Sequence, residues 1–128
     1  MFQNIHRYFL YLAIAFIFVL TYDAIMATRF PAAGGGTEFG IGVGTLVLAI
    51  NVVLLGGYTF GCHSLRHLVG GVMDVMSRRP VRRTTYTCVS ALNRRHQRWA
   101  WASLFVVGFS DVYIRLCAMG IWTDLRLL

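Results

Sequence analysis

The segment Cys62-His63-Ser64-Leu65-Arg66-His67-Leu68-Val69-Gly70-Gly71-Val72-Met73-Asp74 places one thiol, two imidazoles and a guanidinium within six residues, directly after a long apolar run. Charged and metal-ligating types are costly beside a membrane-length apolar stretch, and their default reading there is functional. Thiolate and imidazole suit transition metals and iron–sulfur clusters, and an arginine fork suits a ligand oxygen. On a helix, His63 and His67 are four apart and share one face, which Gly70 continues. Cys62 and Arg66 form a second pair on a face rotated by roughly 100°. One pair can therefore meet a cofactor and the other a polar substrate. The bland alternative is that the two histidines only hydrogen-bond neighbouring helices. Farther along, Asp111 and Arg115 are also spaced i, i+4, with the acid first, the favourable order for a helical ion pair. A carboxylate at that depth must pair with Arg115 or take up a proton. The pair is either a structural lock or part of a proton or quinone path with Tyr113 as donor.

The elements that must hold these residues are membrane helices. The chain of 128 residues is 57% hydrophobic and only 13% charged, with a mean hydropathy of +0.61, which excludes an ordinary soluble domain. That length suits one all-α membrane domain of three spans, each taking roughly 20 residues. The first is expected over about 8–27. It is longer than a signal-peptide core and lacks a convincing cleavage site, so it reads as a retained helix. Phe30 to Thr37, with Pro31 and Gly34-Gly35-Gly36, breaks it. The second span is expected over about 39–61, continuing as helix through the Cys/His segment to about Met76. Its Gly40, Gly42, Gly44 and Gly56-Gly57 read as sites of close helix–helix approach. The third is expected over about 99–121, with Trp99, Trp101 and Trp122 near its ends as interfacial anchors. Asp23, near the outer end of the first span, can reach the interface.

Charge orients the bundle. Arg78, Arg79, Arg82, Arg83, Arg94, Arg95 and Arg98 lie in the loop 77–98, whereas the opposite connection carries Arg29 against Glu38. The positive-inside rule makes the Arg-rich loop cytoplasmic, with the N-terminus inside and the C-terminus outside. The net charge of +7 does not indicate nucleic-acid binding, because the arginines sit where topology requires them and no base-stacking platform accompanies them. A partner protein or anionic lipid explains them better. Cys62 and Cys88 then share a reducing compartment where a structural disulfide is disfavoured, and Cys117 reads as a small apolar residue. Two cysteines with two or more of His63, His67 and His96 match the ligand count of a Rieske-type [2Fe–2S] centre, though not the usual soluble spacing. Two histidines can instead ligate haem b between helices.

Arg66-His67-Leu68 followed by Asp74 resembles the Arg-His-Leu…Asp element of the cytochrome b anchor subunits of succinate dehydrogenase and fumarate reductase. Ser110-Asp111-Val112-Tyr113 resembles the Asp-Tyr element of the small partner anchor. The string from Tyr58 to Asp74, with Trp99-Ala100-Trp101 and Gly120-Ile121-Trp122, is most similar to actinobacterial-type anchors, over roughly residues 58–122. The resemblance implies a single anchor domain packed with other anchor helices, and as partners a flavoprotein subunit, an iron–sulfur subunit, a further membrane anchor, lipid and quinone. It implies quinone contacts at Ser64, Arg66, Asp111 and Tyr113. The commonest anchors carry haem-ligating histidines where this chain has Phe60 and Ala100. Neither can ligate iron. That loss, with the gain of Cys62 and Cys88, favours the membrane-embedded Rieske-type cluster attributed to some actinobacterial members. Cofactor contacts are then expected from Cys62, His63, His67, Cys88 and His96, with Cys62, His67, Cys88 and His96 as metal ligands. The expected function is relay of electrons from the iron–sulfur subunit to quinone. Alternatives are a haem b anchor of the same complex or a non-redox structural or assembly subunit. No flavin or nucleotide motif equips this chain for succinate chemistry itself, and three spans without a repeat leave little room for a transporter.

Overall fold

The computed structural model describes residues 2–32, 34–71 and 80–128. Three long apolar helices dominate it: α1 (Phe2–Met26), α2 (Val43–Phe60) and α5 (His96–Ala118), each long and apolar enough to cross a membrane. Such segments become helices because only there can a lone chain satisfy its own backbone polar groups within lipid. The central helix, α2, packs along α5 on one side and α1 on the other. Their contact surfaces are small and polar: Thr45, Asn51, Thr59, Ser103 and Ser110 are buried, together with Gly56 and Gly57. Large apolar side chains such as Phe16, Phe18, Phe105 and Phe109 face outward. That inversion suits a lipid environment, where helices associate by close packing and hydrogen bonding and not by hiding apolar surface from water. Gly57 is a point of close approach, since a Cβ there would fall 2.6 Å from the Trp99 ring of α5.

The second span differs from its expected course. The helix stops at Phe60, Gly61 caps it, and Cys62 is extended (φ −64°, ψ 138°) before a separate helix α3 (His63–Gly70) begins. Gly61 is a poor helix former, and the structure uses its freed carbonyl, which accepts a hydrogen bond from the Asn93 side chain at 2.8 Å. Any continuation from 72 to Met76, and Asp74, lie outside the described residues, as do Arg78 and Arg79. Most of the expected loop 77–98 is helix: α4 (Pro80–Asn93) starts on a proline, whose fixed φ and missing N–H suit a first helical position, and α5 follows from His96.

At the opposite end a short antiparallel hairpin, β1 (Arg29–Pro31) with β2 (Thr37–Phe39), pairs Phe30 with Glu38. Its turn runs through Gly35 and Gly36 at φ of 82° and 97°, values that only glycine adopts without strain. Here too the expectation is corrected. Gly40 and Gly42 precede α2, and they seat the C-terminal tail and not a neighbouring helix. Ile41 and Val43 donate backbone hydrogen bonds to Leu128 and Leu125, Gly42 bridges to Arg126, and Arg126 pairs with Glu38. Asp124 accepts from the Gly44 N–H and from the Tyr113 hydroxyl, both at 2.8 Å. A Cβ on Gly42 would sit 2.8 Å from that carboxylate.

Candidate metal centre

The break after α2 aims Cys62 and His63 at α1. Cys62 is buried, 7% exposed, and its Sγ lies 3.1 Å from Nε2 of His6, a residue 56 positions earlier. His6 stacks on His63 with ring centroids 5.0 Å apart and planes within 11°. One ligand atom each from His6, Cys62 and His63 all lie within 4.8 Å of one another, the one such group among the described residues. Two imidazoles and a thiol in that space form an N/S donor set for a transition metal or iron–sulfur centre.

Of the ligands expected from sequence, Cys62 and His63 belong to this group. His67 shares the α3 face of His63 as its spacing requires, but its ring stands edge-on to His63 at 6.3 Å and it is not in the group. His96 stacks flat on Tyr58 at 4.7 Å. Its Nδ1 is buried with no hydrogen-bond partner among the described residues. Cys88 is exposed on α4. The expected metal set of Cys62, His67, Cys88 and His96 is therefore not brought together in this structure. The α2–α3 break turns Cys62 towards α1, where His6 completes the group in place of more distant residues. His6 was missed because one histidine beside Arg7 carries no local signal. The clue available was its position at the same membrane end as the Cys/His segment.

Two cavities flank the stacked rings. One, of about 290 Å³, is apolar and is lined by Phe9, Leu10, Ala13, Phe16, Tyr58 and Thr59, with His6 and Cys62. The other, of about 360 Å³, is lined by His63, Arg66, His67, Gly70, Gly71 and Tyr86. Its walls are fixed from α4. Arg66 donates to the Tyr86 hydroxyl at 3.1 Å and lies over that ring at 5.3 Å. Arg82 donates to the Val69 carbonyl at 2.6 Å, satisfying the C-terminal end of α3 as arginines do.

The four residues expected around quinone separate into two places. Ser64 (3% exposed) and Arg66 lie on α3. Asp111 pairs with Arg115 at 2.8 Å, as its spacing predicts, and Tyr113 is held by Asp124. These two lie 15 and 17 residues beyond His96, roughly 22 and 25 Å along α5. The structure does not bring them to Ser64 and Arg66.

Comparison with known proteins agrees with this architecture. Residues 1–120 match the family model described as actinobacterial succinate dehydrogenase subunit SdhC. No curated protein matches the sequence. Among solved structures, a chain of the Mycobacterium smegmatis Sdh1 complex in the apo form is 46% identical, with a TM-score of 0.86 over 99% of this chain. The present chain spans 46% of that longer one. Three apolar helices around a small polar core, and a family match over nearly the whole sequence, make this chain a member of the actinobacterial succinate dehydrogenase SdhC membrane subunits.

Proposed function

We propose that this chain is an anchor of a succinate:quinone oxidoreductase and relays electrons to quinone through a centre at the end of α2. The observation that carries the reading is the His6–Cys62–His63 group, whose ligand atoms lie within 4.8 Å of one another beside an apolar cavity. These residues fit part of a Rieske-type [2Fe–2S] centre: they supply both imidazoles and one of its two thiolates, and the second thiolate is not among the residues that the structure brings to the group. Such a group supplies single-electron transfer at a potential raised by imidazole ligation.

The chain's own residues do the rest. Cys62 and His63 are placed by the helix break, and His6 is placed by α1. The apolar cavity offers a quinone ring and isoprenoid tail the surface they need, and Arg66, locked on Tyr86, presents a cation to the second cavity. The Arg-rich end faces the cytoplasm, where an iron–sulfur subunit bearing electrons from a flavoprotein docks. The haem alternative is less favoured, because rings stacked face to face at 5.0 Å leave no room for a porphyrin between His6 and His63.

Paramagnetic resonance of the reduced, purified complex tests this. We expect a high-potential [2Fe–2S] signal, lost in Cys62→Ser and His63→Ala complexes. Quinone reduction should fall by at least the roughly 10–100-fold that loss of an outer-shell partner costs. Succinate oxidation with a soluble acceptor should persist. A signal unchanged in both variants, or a sharp haem alpha band in the reduced optical spectrum, would overturn the assignment.

A further inference from the structure

The proposed relay gives the second cavity a cation, Arg66, and no ligand for it. That cavity, of about 360 Å³, is walled by His63, Arg66, His67, Gly70, Gly71 and Tyr86. Of these only the Tyr86 ring is apolar, and Arg66 already lies over it at 5.3 Å, so a quinone ring finds little surface here. Hydrogen-bond donors are plentiful instead. Arg66 spends its Nε on the Tyr86 hydroxyl at 3.1 Å, and the two terminal nitrogens of its fork have no partner among the described residues. No described carboxylate balances the charge. Asp23, Glu38, Asp111 and Asp124 lie towards the hairpin end of the helices, and Asp74 is outside the described residues. Arg82, Arg83, Arg94, Arg95 and Arg98 share the end of Arg66. Depth adds the last constraint. Since α2 has 18 residues, it is about 27 Å long in a hydrocarbon core of roughly 30 Å. The helix α3, which begins three residues after Phe60, therefore lies at the level of the lipid head groups.

We infer that the cavity between α3 and α4 binds the phosphate group of an anionic membrane phospholipid, with the Arg66 fork as its principal contact. A guanidinium meets two phosphate oxygens at once, and Tyr86 holds this one in place before the ligand arrives. The Tyr86 hydroxyl accepts from Arg66 and keeps its own proton to donate, and His67 offers a ring N–H from the neighbouring wall. Gly70 and Gly71, without side chains, leave room for the glycerol that bears the phosphate. Basic pockets at a membrane surface hold anionic head groups in this way. A free phosphate has the same chemistry, but the phosphate that abounds at this depth is that of the lipid. The site needs only the membrane placement of α2 and stands apart from the redox centre. It also moves Arg66 from the quinone contact implied by resemblance to a lipid contact.

The intact complex, stripped of lipid in an uncharged detergent, provides the test. Phosphatidylglycerol should raise its melting temperature in a saturable way, and diacylglycerol with the same acyl chains, which lacks the phosphate, should not. Arg66→Gln should abolish the response, and Arg66→Lys, which keeps the charge without the fork, should retain part of it. Tyr86→Phe removes the hydrogen bond that fixes Arg66 and should raise the half-saturating lipid concentration about fivefold. Inorganic phosphate that reproduces the whole Arg66-dependent shift would keep the phosphate site and make solution its source. An equal response to both lipids, or an undiminished response to phosphatidylglycerol in Arg66→Gln, would overturn the proposal. So would displacement of the bound lipid by a short-chain quinone, which would mark the cavity as a quinone site. The outcome is separable from the redox reading, because a complex without the paramagnetic signal can still show the lipid response.

Discussion

Gly57 and Trp99 meet at a close contact between the central helix and α5, and the cost of disturbing it can be stated. Gly57→Ala puts a methyl carbon where the indole already lies, 2.6 Å away, and overpacking of this kind costs about 1–3 kcal/mol. The melting temperature of the detergent-solubilised complex should fall, and adding Trp99→Leu should recover part of the loss. Strictly additive losses would show that the two residues do not share that strain. At this scale the sequence is legible where partners are near neighbours. Asp111–Arg115 and the shared face of His63 and His67 follow from helical spacing alone. His6 is not legible, because what makes it a ligand candidate is a thiol 56 residues away. Asp124, in a short polar stretch after the last span, was likewise invisible until the tail was seen folded onto the start of α2.

That tail is the least expected element. Residues 125–128 are held on Ile41 and Val43, at the start of α2, by main-chain bonds, and on the hairpin by the Arg126–Glu38 pair, and Asp124 joins three elements by accepting from Gly44 and Tyr113. Asp124→Ala strands the Tyr113 hydroxyl and leaves the exposed Gly44 N–H to solvent, and the buried unsatisfied group costs about 1–3 kcal/mol. Tyr113→Phe removes one hydrogen bond and should cost less. Denaturation of the two variants in detergent checks the order, which would be reversed if Tyr113 had a second, catalytic partner outside this chain. The long helices were legible to within a few residues because hydropathy over about 20 residues is a strong signal. The break at Gly61–Cys62 was not. Apolar and helix-compatible residues continue on both sides of it, and the cause is tertiary: Asn93, 32 residues on, takes the Gly61 carbonyl. The helix α4 was hidden for a related reason, since its amphipathic, arginine-bearing sequence reads equally well as a loop.

For the whole molecule, the candidate metal ligands His6, Cys62 and His63 gather at one end, and the hairpin and tail close the other. The side on which each lies can be measured. With charge as the guide, a membrane-impermeant thiol reagent should label exposed Cys88 only in inverted vesicles. A cysteine at Thr37, in a Cys88→Ser background, should be labelled only in right-side-out cells. The opposite pattern would overturn the positive-inside orientation. The break after Phe60 also has a consequence for membrane thickness. With 18 residues, α2 is about 27 Å long, while the flanking α1 and α5 have 25 and 23 residues and outreach a bilayer core of roughly 30 Å. The middle of the bundle is thus thinner than its walls, and the surrounding lipid meets this hydrophobic mismatch by thinning or tilting. Cys62, two residues past the end of that short helix, is where such thinning would be felt. Under the proposed relay, a lipid-soluble carrier would then reach the thiol sideways from among the acyl chains, without lifting its ring into water.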